Sequence, residues 1–486
     1  MLYENGLLSA LYAAAPTALQ DAFASGYGAT KLVERLAPSY RSLLRGLERT
    51  QWLTPSEIRE LQRRRLCALI EHAYANVPYY RRVFDERGLH PADIRDMCDL
   101  SKLPVLTKSA VRRHFQDLQA RNVAERATVL GRTGGTTGVP LKFRLDRSQV
   151  AFDHALIQRH WSWAGWRPRD LTVLLRGFTL IPASNDRPPF WRRDLLDNRV
   201  YLSGFHLAPR HLPLYLDQIR RWGPCYLAGY PSNLFVLARF MNRSGTVIPM
   251  KAIFTSSELV TPAERRAIEA AFACRVWDRY GTNERLVVSQ QCEEGSYHQN
   301  AEFGIAEVEV DGRPSRVGES GRLLQTGLAN RAMPLIRFDI GDIAALSEER
   351  CACGRGLPLL NPVEGRREDV LVTAEGRPMP RAGLDQIYEY VDRVEQCQLV
   401  QERAGEVIVR VVPRPGFSAD DERTLVRELR KRVGEATRVT VERVEALPRS
   451  PTGKMRFIVS TLDQASPPTS EPMRGPDRDA PSGHQG

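Results

Sequence analysis

The segment of this sequence with the clearest chemical potential is rich in glycine and threonine and lies between two apolar runs. It contains Thr133, Gly134, Gly135, Thr136, Thr137 and Gly138. Glycine lets successive backbone N–H groups converge on an anion, and threonine adds hydroxyl donors, so the segment could hold phosphate. It lacks the Gly-Lys-Ser/Thr of a P-loop, and residues 141–143 predict a following strand rather than a helix. A plain hairpin turn stays open as the alternative.

Two further polar clusters come directly after predicted strands in the middle of the chain. The first contains Ser256, Ser257 and Glu258, and the second contains Tyr280, Gly281, Thr282, Asn283 and Glu284. Open α/β sheets bind ligands at the carboxyl ends of their strands, so both clusters are candidate binding residues. Alternatively, acidic residues such as Glu284 could be simple turn or helix caps.

Three cysteines and one histidine form a candidate metal site. Cys292 precedes His298 by six positions, and Cys351 and Cys353 follow as a second pair. Three thiolates and one imidazole make a closed tetrahedral zinc shell, and we expect both pairs in loops, where ligands can converge. The alternative is ordinary thiols and a surface histidine.

The elements that must position these residues predict more than one domain, since 486 residues exceed one ordinary core. Helix-like segments alternate with short apolar runs in the first part, which indicates a layered α/β region. A hairpin, helix and strand pattern near the end predicts a small α+β domain. The expected divisions are a helical extension (1–53), a large domain (54–364), a hinge (365–369), a small mobile domain (370–463) and a disordered tail (464–486).

Five motifs, in this order, resemble those of the adenylate-forming superfamily. Within it, the chain most resembles the phenylacetate–CoA ligase branch, which includes CapK-like proteins and coenzyme F390 synthetases. The motifs are Thr133–Gly138, Tyr280–Glu284, Arg337–Asp342, Gly365–Asp369 and Pro448–Lys454. The resemblance covers about residues 55–460 and implies the adenylate-forming ligase fold: a large layered α/β region and a small α+β C-terminal domain.

The resemblance implies that a carboxylate attacks the α-phosphate of ATP to form an acyl-adenylate. Residues 133–138 would hold the β- and γ-phosphates, and Glu284 would bind Mg²⁺. Tyr280 would lie against adenine, with residues 256–258 on its other side and 281–283 completing the ATP site. Asp342 would accept hydrogen bonds from the ribose hydroxyls.

The same resemblance assigns roles near the domain junction. Lys454 would be a mobile lysine that stabilises the charge developing during adenylation. It would leave the site when the small domain rotates about the hinge residue Asp369, and Arg366 would assist Asp342. Similar sets of cysteine and histidine bind structural zinc in parts of this branch, so the resemblance also favours zinc.

The acyl substrate and the acceptor are less closely defined. Tyr230 and Phe235 could form an apolar slot for an aromatic or small acyl group, although they could equally be plain core. Coenzyme A is the expected acceptor, but residues 370–380 lack the apolar-glycine pattern of many CoA-using relatives. An amine or hydroxyl acceptor in polysaccharide or secondary-metabolite synthesis therefore stays open, as does a non-catalytic nucleotide-binding protein.

The composition limits the kinds of partner that the protein can have and indicates its cellular compartment. The net charge is +11, but the basic residues are scattered among acidic ones and form no stripe with aromatics, so no nucleic-acid partner is expected. The sequence shows no signal peptide and no apolar run of membrane-spanning length, which predicts a cytoplasmic protein. The expected partners are a small carboxylic acid and coenzyme A or another acceptor; the oligomeric state is not readable.

Overall fold

The structure is a computed structural model that describes most of the chain. Described are residues 12, 15–132, 141–176, 181, 185, 187–366, 370–374, 378–380, 384, 391, 393–449 and 455–462. The candidate phosphate segment 133–138, Asp369, Lys454 and the tail 464–486 lie outside the described residues.

Helices form most of the first 115 residues and then alternate with strands. In chain order they are α1 (Thr17–Leu36), α2 (Pro38–Thr50), α3 (Pro55–Asn76), α4 (Pro78–Glu86), α5 (Lys108–Arg113), α6 (Arg147–Trp163), α7 (Leu212–Trp222), α8 (Pro231–Arg243), α9 (Pro262–Phe272) and α10 (Ala419–Val433). Short 3₁₀ turns cover Pro91–Asp93, Met97–Lys102 and Glu125–Ala127.

Local capping chemistry fixes the starts of several helices. The Thr54 side chain accepts the N–H of Glu57, and the Glu57 carboxylate accepts the N–H of Thr54 at 2.8 Å. Thr261 and Glu264 make the same reciprocal pair at the start of α9. Both pairs satisfy N–H groups that the first helical turn leaves without partners, which is why these helices begin where they do.

An antiparallel hairpin flanks the candidate phosphate segment. Its strands are β1 (Thr128–Arg132) and β2 (Lys142–Asp146), and Gly131 pairs with Phe143. A Cβ on Gly131 would lie 2.2 Å from the Phe143 ring, so only glycine allows this close approach. The predicted strand after the segment is therefore present as β2.

A ten-stranded sheet forms the centre of the large region. Its strands are β3 (Thr172–Arg176), β4 (Trp191–Asp194), β5 (Arg199–Ser203), β6 (Tyr226–Gly229), β7 (Ala252–Ser256), β8 (Val276–Gly281), β9 (Val288–Gln291), β10 (Tyr297–Gln299), β15 (Leu346–Ser347) and β16 (Leu359–Leu360). They are ordered β15-β16-β10-β9-β8-β7-β6-β3-β5-β4, and β8, β7, β6, β3 and β5 run parallel. The parallel strands β3, β5, β6 and β7 are nearly fully buried and mostly apolar, as expected for such sheets, whereas β8 carries Asp278 and Arg279 and is partly exposed at its end.

A five-stranded sheet lies next to it in sequence. It contains β11 (Gly304–Val310), β12 (Arg313–Pro314), β13 (Gly321–Gly327), β14 (Phe338–Ala344) and β17 (Gly365–Arg366), ordered β12-β11-β13-β14-β17. Arg337, immediately before β14, pairs with Glu307 at 3.0 Å and Glu309 at 3.1 Å, so this motif arginine holds β11 and β14 together.

In the C-terminal module the described residues form a four-stranded sheet against which helix α10 packs. Its strands are β20 (Val394–Gln401), β21 (Glu406–Pro413), β22 (Arg438–Arg443) and β23 (Ile458–Ser460), preceded by the small pair β18 (Val370–Val372) and β19 (Pro378–Pro380). The buried face of α10 carries Leu425, Leu429 and Val433, which recur at helical spacing and confirm the helix expected between the hairpin and the last strands. The module contacts the large region through Arg239, whose Nη1 donates to the Val394 carbonyl at 2.8 Å.

Within the described part of the chain, no helix has both the length and the apolar character needed to cross a membrane.

Candidate functional site

The carboxyl edge of the ten-stranded sheet gathers several of the predicted site residues. Tyr230, Ser256 and Tyr280 stand at the ends of β6, β7 and β8, which are neighbours in the sheet. Strand spacing is about 4.8 Å, so these three positions lie side by side. The sequence pattern of polar residues after strands therefore corresponds to one continuous edge.

The Tyr280 hydroxyl joins this edge to the five-stranded sheet. It donates a hydrogen bond to Asp342 Oδ2 at 2.5 Å and accepts one from Gln325 Nε2 at 2.6 Å. Asp342 is 3% exposed, and a carboxylate held in so buried a position is well placed to recognise a polar ligand group. Gln325 was not predicted from the sequence, because a glutamine inside a strand carries no local signal of its partner.

The turn after β8 presents the next three predicted residues. Arg285 N–H donates to the Thr282 carbonyl at 3.1 Å and closes the turn, and Glu284 within it is 3% exposed. The Thr282 hydroxyl is buried and has no hydrogen-bond partner within the described chain. A buried carboxylate beside a hydroxyl with spare capacity offers the oxygen donors that Mg²⁺ prefers.

The turn after β7 holds the other predicted cluster in a restricted conformation. Ser257 has φ of 72°, in the left-handed region that a non-glycine residue seldom adopts. Glu258 Oε2 accepts the Ser232 N–H at 3.1 Å, at the start of α8. Its Oε1 is buried without a hydrogen-bond partner in the described ranges. Such strained turns with spare polar capacity are typical of ligand sites.

The predicted acyl-pocket residues occupy the start of α8. Tyr230 caps the helix, and burial raises the pKa of its phenol while the nearby Arg176 lowers it. Phe235 is half-buried against the core beneath the parallel strands, with the Arg239 guanidinium 5.6 Å from its ring centre. Tyr230 therefore faces the common edge, whereas Phe235 packs next to the contact with the C-terminal module.

Backbone pairing brings one predicted junction residue to the site. Arg366 in β17 pairs directly with Asp342 in β14. This places the position expected to assist Asp342 on the adjacent strand.

A contact that the sequence analysis missed links the C-terminal module to the same edge. Arg449 Nη1 donates to Asn233 Oδ1 at 2.9 Å, and Asn233 lies in the first turn of α8. Burial lowers the pKa of Arg449, and Glu258 opposes that change. Arg449 also forms a bridge with Met455, so the two residues that bracket the segment containing Lys454 pair with each other.

The predicted metal ligands converge. One donor atom from each of Cys292, His298, Cys351 and Cys353 lies within 4.8 Å of the others. The Sγ atoms of Cys292 and Cys351 are 3.5 Å apart, and Cys353 Sγ is 3.2 Å from His298 Nε2. A tetrahedral zinc site has ligand–ligand distances of about 3.6 to 3.8 Å, so the donor set fits zinc.

The histidine in this cluster is oriented for metal binding. His298 Nδ1–H donates to the Leu357 carbonyl at 3.2 Å, which leaves Nε2 directed at the thiols. Burial lowers the pKa of His298 to about 4, so the imidazole is neutral, as a ligand must be. One expectation was wrong in detail, because His298 lies in strand β10 rather than in a loop. It is also fully buried, which argues against the alternative of a surface histidine.

The cysteine loop also packs on the end of the N-terminal helices. The Gly356 N–H donates to the Gln51 carbonyl at 3.0 Å. A Cβ on Gly356 would lie 1.8 Å from the Leu53 carbonyl oxygen, so the loop touches this linker directly. The cluster therefore joins β9, β10 and the residues between α2 and α3.

Comparison with known proteins identifies relatives across the whole chain. Residues 371–461 match a family model described as the CapK C-terminal domain. The chain is 24% identical over 470 residues to protein CapK of Staphylococcus aureus, covering 94% of this chain and 100% of CapK. It is 26% identical over 438 residues to phenylacetate-coenzyme A ligase of Thermus thermophilus, covering 84% and 97%.

A solved structure has the same fold. The crystal structure of 2-hydroxyisobutyryl-CoA ligase in the postadenylation state matches with a TM-score of 0.66 at 20% identity, covering 85% of this chain and 91% of that one. The predicted fold class is confirmed. The roles of individual site residues and the domain limits stay predictions. The chain is a relative of CapK and of the phenylacetate-coenzyme A ligases, and it has the fold of the adenylate-forming ligases.

Proposed function

We propose that the protein activates a carboxylic acid with ATP and passes the acyl group to coenzyme A. In the first step a carboxylate oxygen bonds to the α-phosphorus, the bond from that phosphorus to the bridging oxygen breaks, and pyrophosphate leaves. In the second step the coenzyme A sulfur, having lost its proton, bonds to the acyl carbon, and AMP leaves with the bonding electron pair. The curated relatives named for phenylacetate–CoA ligation support both steps.

The observation that carries this proposal is the junction of Tyr280, Asp342 and Gln325. A buried carboxylate, oriented by a 2.5 Å hydrogen bond from a tyrosine, lies at the edge that also presents Ser256 and Tyr230. In our proposal the nucleotide occupies this edge, with Asp342 accepting from the ribose hydroxyls. The acyl chain extends along the edge toward Tyr230.

Charge neutralisation is the main task of the remaining residues, because both reactants are anions. We assign the triphosphate to residues 133–138, the developing charge on the α-phosphate to Lys454, and support of Asp342 to Arg366. The contact between Arg449 and Asn233 supports the assignment of Lys454, because it ties the nearby C-terminal segment to the same edge.

Magnesium fits the donors at the turn after β8. Glu284 would hold the ion, which would supply charge neutralisation to the pyrophosphate as it leaves. Glu284 is buried away from bulk water. It could therefore serve as one oxygen ligand of Mg²⁺, with phosphate oxygens as further ligands.

Zinc fits the four-ligand cluster in a purely structural role. Its four donors leave no open coordination position, and closed sites of this kind stabilise folds rather than activate water. We infer that zinc there fastens the cysteine loop to β9, β10 and the end of the N-terminal helices.

Exchange of radiolabelled pyrophosphate into ATP, over a panel of carboxylic acids, tests the first step directly. Exchange that depends on one class of acid is the expected result, and thioester formation after adding coenzyme A tests the second step. Absence of exchange with every acid would favour a nucleotide-binding protein without chemistry.

An amine or hydroxyl acceptor is the second candidate. It is favoured by residues 370–380, which lack the apolar-glycine pattern of many CoA-using relatives. Exchange without thioester formation would support this alternative.

A further inference from the structure

Arg176 is a cationic side chain at the candidate acyl site to which the assigned functions give no role. It is the last residue of β3, next to β6 in the sheet, and Tyr230 N–H donates to the preceding Leu175 carbonyl at 3.4 Å. Its Nη2 donates to Ser256 Oγ at 3.3 Å. Because β6 separates β3 from β7, the side chain spans about 10 Å along the edge. It therefore lies across the candidate acyl pocket.

This guanidinium has no carboxylate partner among the described residues. Two nearby arginines do have carboxylate partners: Arg199 pairs with Asp197 at 2.5 Å, and Arg279 pairs with Asp153. The Nε of Arg176 is shielded from solvent and makes no hydrogen bond to any described group. Glu258, on the neighbouring turn, bonds to a backbone N–H of α8 instead.

The surroundings of Arg176 leave its positive charge poorly compensated, so it should attract an anion strongly. Burial lowers the pKa of Arg176, and the two neighbouring arginines lower it further, against a contribution from Tyr230. Arginine nevertheless keeps its proton in proteins, so the charge remains and is poorly compensated. Such a charge is costly unless something anionic pairs with it. The residue is only half-buried overall, so a ligand at the edge can reach it.

We propose that Arg176 selects the substrate, which is a carboxylic acid carrying a second anionic group such as a dicarboxylate. One carboxylate is activated near Tyr280, and the other binds the guanidinium of Arg176 beside the Tyr230 hydroxyl. This inference rests on the proposed acyl-activating function and replaces the plain apolar slot with a charged pocket. The planar guanidinium suits a carboxylate, which it can bind through two parallel hydrogen bonds.

Paired ligands of equal length test the proposal by direct binding. Glutarate is compared with pentanoate, and 4-(carboxymethyl)benzoate with 4-methylphenylacetate, by calorimetry on the full chain saturated with a non-hydrolysable ATP analogue. A charge-assisted pair predicts that the wild type binds each dicarboxylate about 10- to 100-fold more tightly than its partner.

Three variants separate a selective role from a general one. Arg176→Met should abolish the preference without weakening the monocarboxylate, and Arg176→Lys should keep part of it. Arg193→Met, at an exposed arginine of the edge strand β4, is the matched control and should change nothing. Removing a charge that has no carboxylate partner among the described residues is not expected to unfold the protein, and thermal melting checks this.

The outcomes are distinct. If Arg176→Met weakens the binding of both acids of a pair equally, the proposal is overturned. That result would indicate that Arg176 contacts the reacting carboxylate. A wild type that shows no preference, or binds none of the four acids, would also overturn it. Pyrophosphate exchange, measured in parallel, tests the proposed function separately. A binding preference for dicarboxylates without any exchange would support the role of Arg176 but contradict the activation of the acid by ATP.

Discussion

Removing the hydroxyl oxygen of Tyr280 is the sharpest single-atom test of the proposed nucleotide site. Replacing Tyr280 with Phe keeps the ring but removes the oxygen that donates to Asp342 at 2.5 Å and accepts from Gln325 at 2.6 Å. If Asp342 binds the ribose hydroxyls, this oxygen orients the carboxylate for that purpose. We therefore expect the variant to lose both stability and nucleotide affinity.

The two lost hydrogen bonds set the size of the effect. A hydrogen bond to a carboxylate contributes about 1.5 to 3 kcal/mol and a neutral one about 0.5 to 1.5 kcal/mol, so the free energy of unfolding should fall by about 2 to 4 kcal/mol. A carboxylate that loses its orientation should bind the ribose less well by about 1.4 kcal/mol or more. That corresponds to about a tenfold increase in the dissociation constant for AMP.

The chain provides a matched control in a second buried tyrosine–aspartate pair. Tyr297 donates to Asp278 Oδ2 at 2.9 Å, outside the proposed nucleotide site. Tyr297→Phe should lose comparable stability in urea denaturation yet leave the AMP dissociation constant unchanged in calorimetry. If Tyr280→Phe keeps the wild-type AMP affinity, or if both variants weaken AMP binding equally, the assignment of this junction to the nucleotide is wrong.

Four further predictions address the rest of the molecule. Lys454→Ala should abolish pyrophosphate exchange while ATP binding in calorimetry is retained; unchanged exchange would remove the lysine from the mechanism. Arg449→Met and Asn233→Ala should each slow exchange about tenfold, with no added loss in the double variant, because they remove one shared hydrogen bond; additive losses would contradict this. Elemental analysis should find one zinc per chain, and Cys351→Ser should lower both zinc content and melting temperature; wild-type metal content in the variant would exclude this ligand. Burial lowers the pKa of His160 to about 3, so stability is complete above about pH 6.5 and falls as the pH drops toward 3. Urea titrations at pH 7.5 and 5 should differ by about 2 kcal/mol from this group, and His160→Gln should reduce the difference; an unchanged difference would contradict the linkage.

Local patterns predicted those parts of the fold that depend on local chemistry. The capping pairs at Thr54 and Thr261 are recognisable in the sequence as signals of helix starts, because their hydrogen bonds join residues three positions apart. The helical spacing of Leu425, Leu429 and Val433 is likewise a local signal, and these residues form part of the buried face of α10. The ligand set around His298 was also predicted, since the donor types suffice to suggest a metal whatever elements carry them.

Residues whose partners are distant in sequence could not be found in this way. Gln325 binds Tyr280 across two sheets, and Arg449 binds Asn233 from the C-terminal module. In the sequence Arg176 is simply the polar last residue of a strand. Only the sheet order shows that its side chain reaches past β6 to Ser256 at the end of β7. His298 was placed in a loop because a three-residue strand such as β10 leaves too short a pattern to recognise.

Hydrogen bonds at two separate points attach the C-terminal module to the large region. Arg239 holds the Val394 carbonyl, and Asn233 holds Arg449, both from the same helix α8. Any rotation of the module would have to break these two hydrogen bonds. Helix α8 would therefore set how long the module stays in each orientation. Weakening either bond should therefore alter dwell times before it alters the chemistry at the sheet edge.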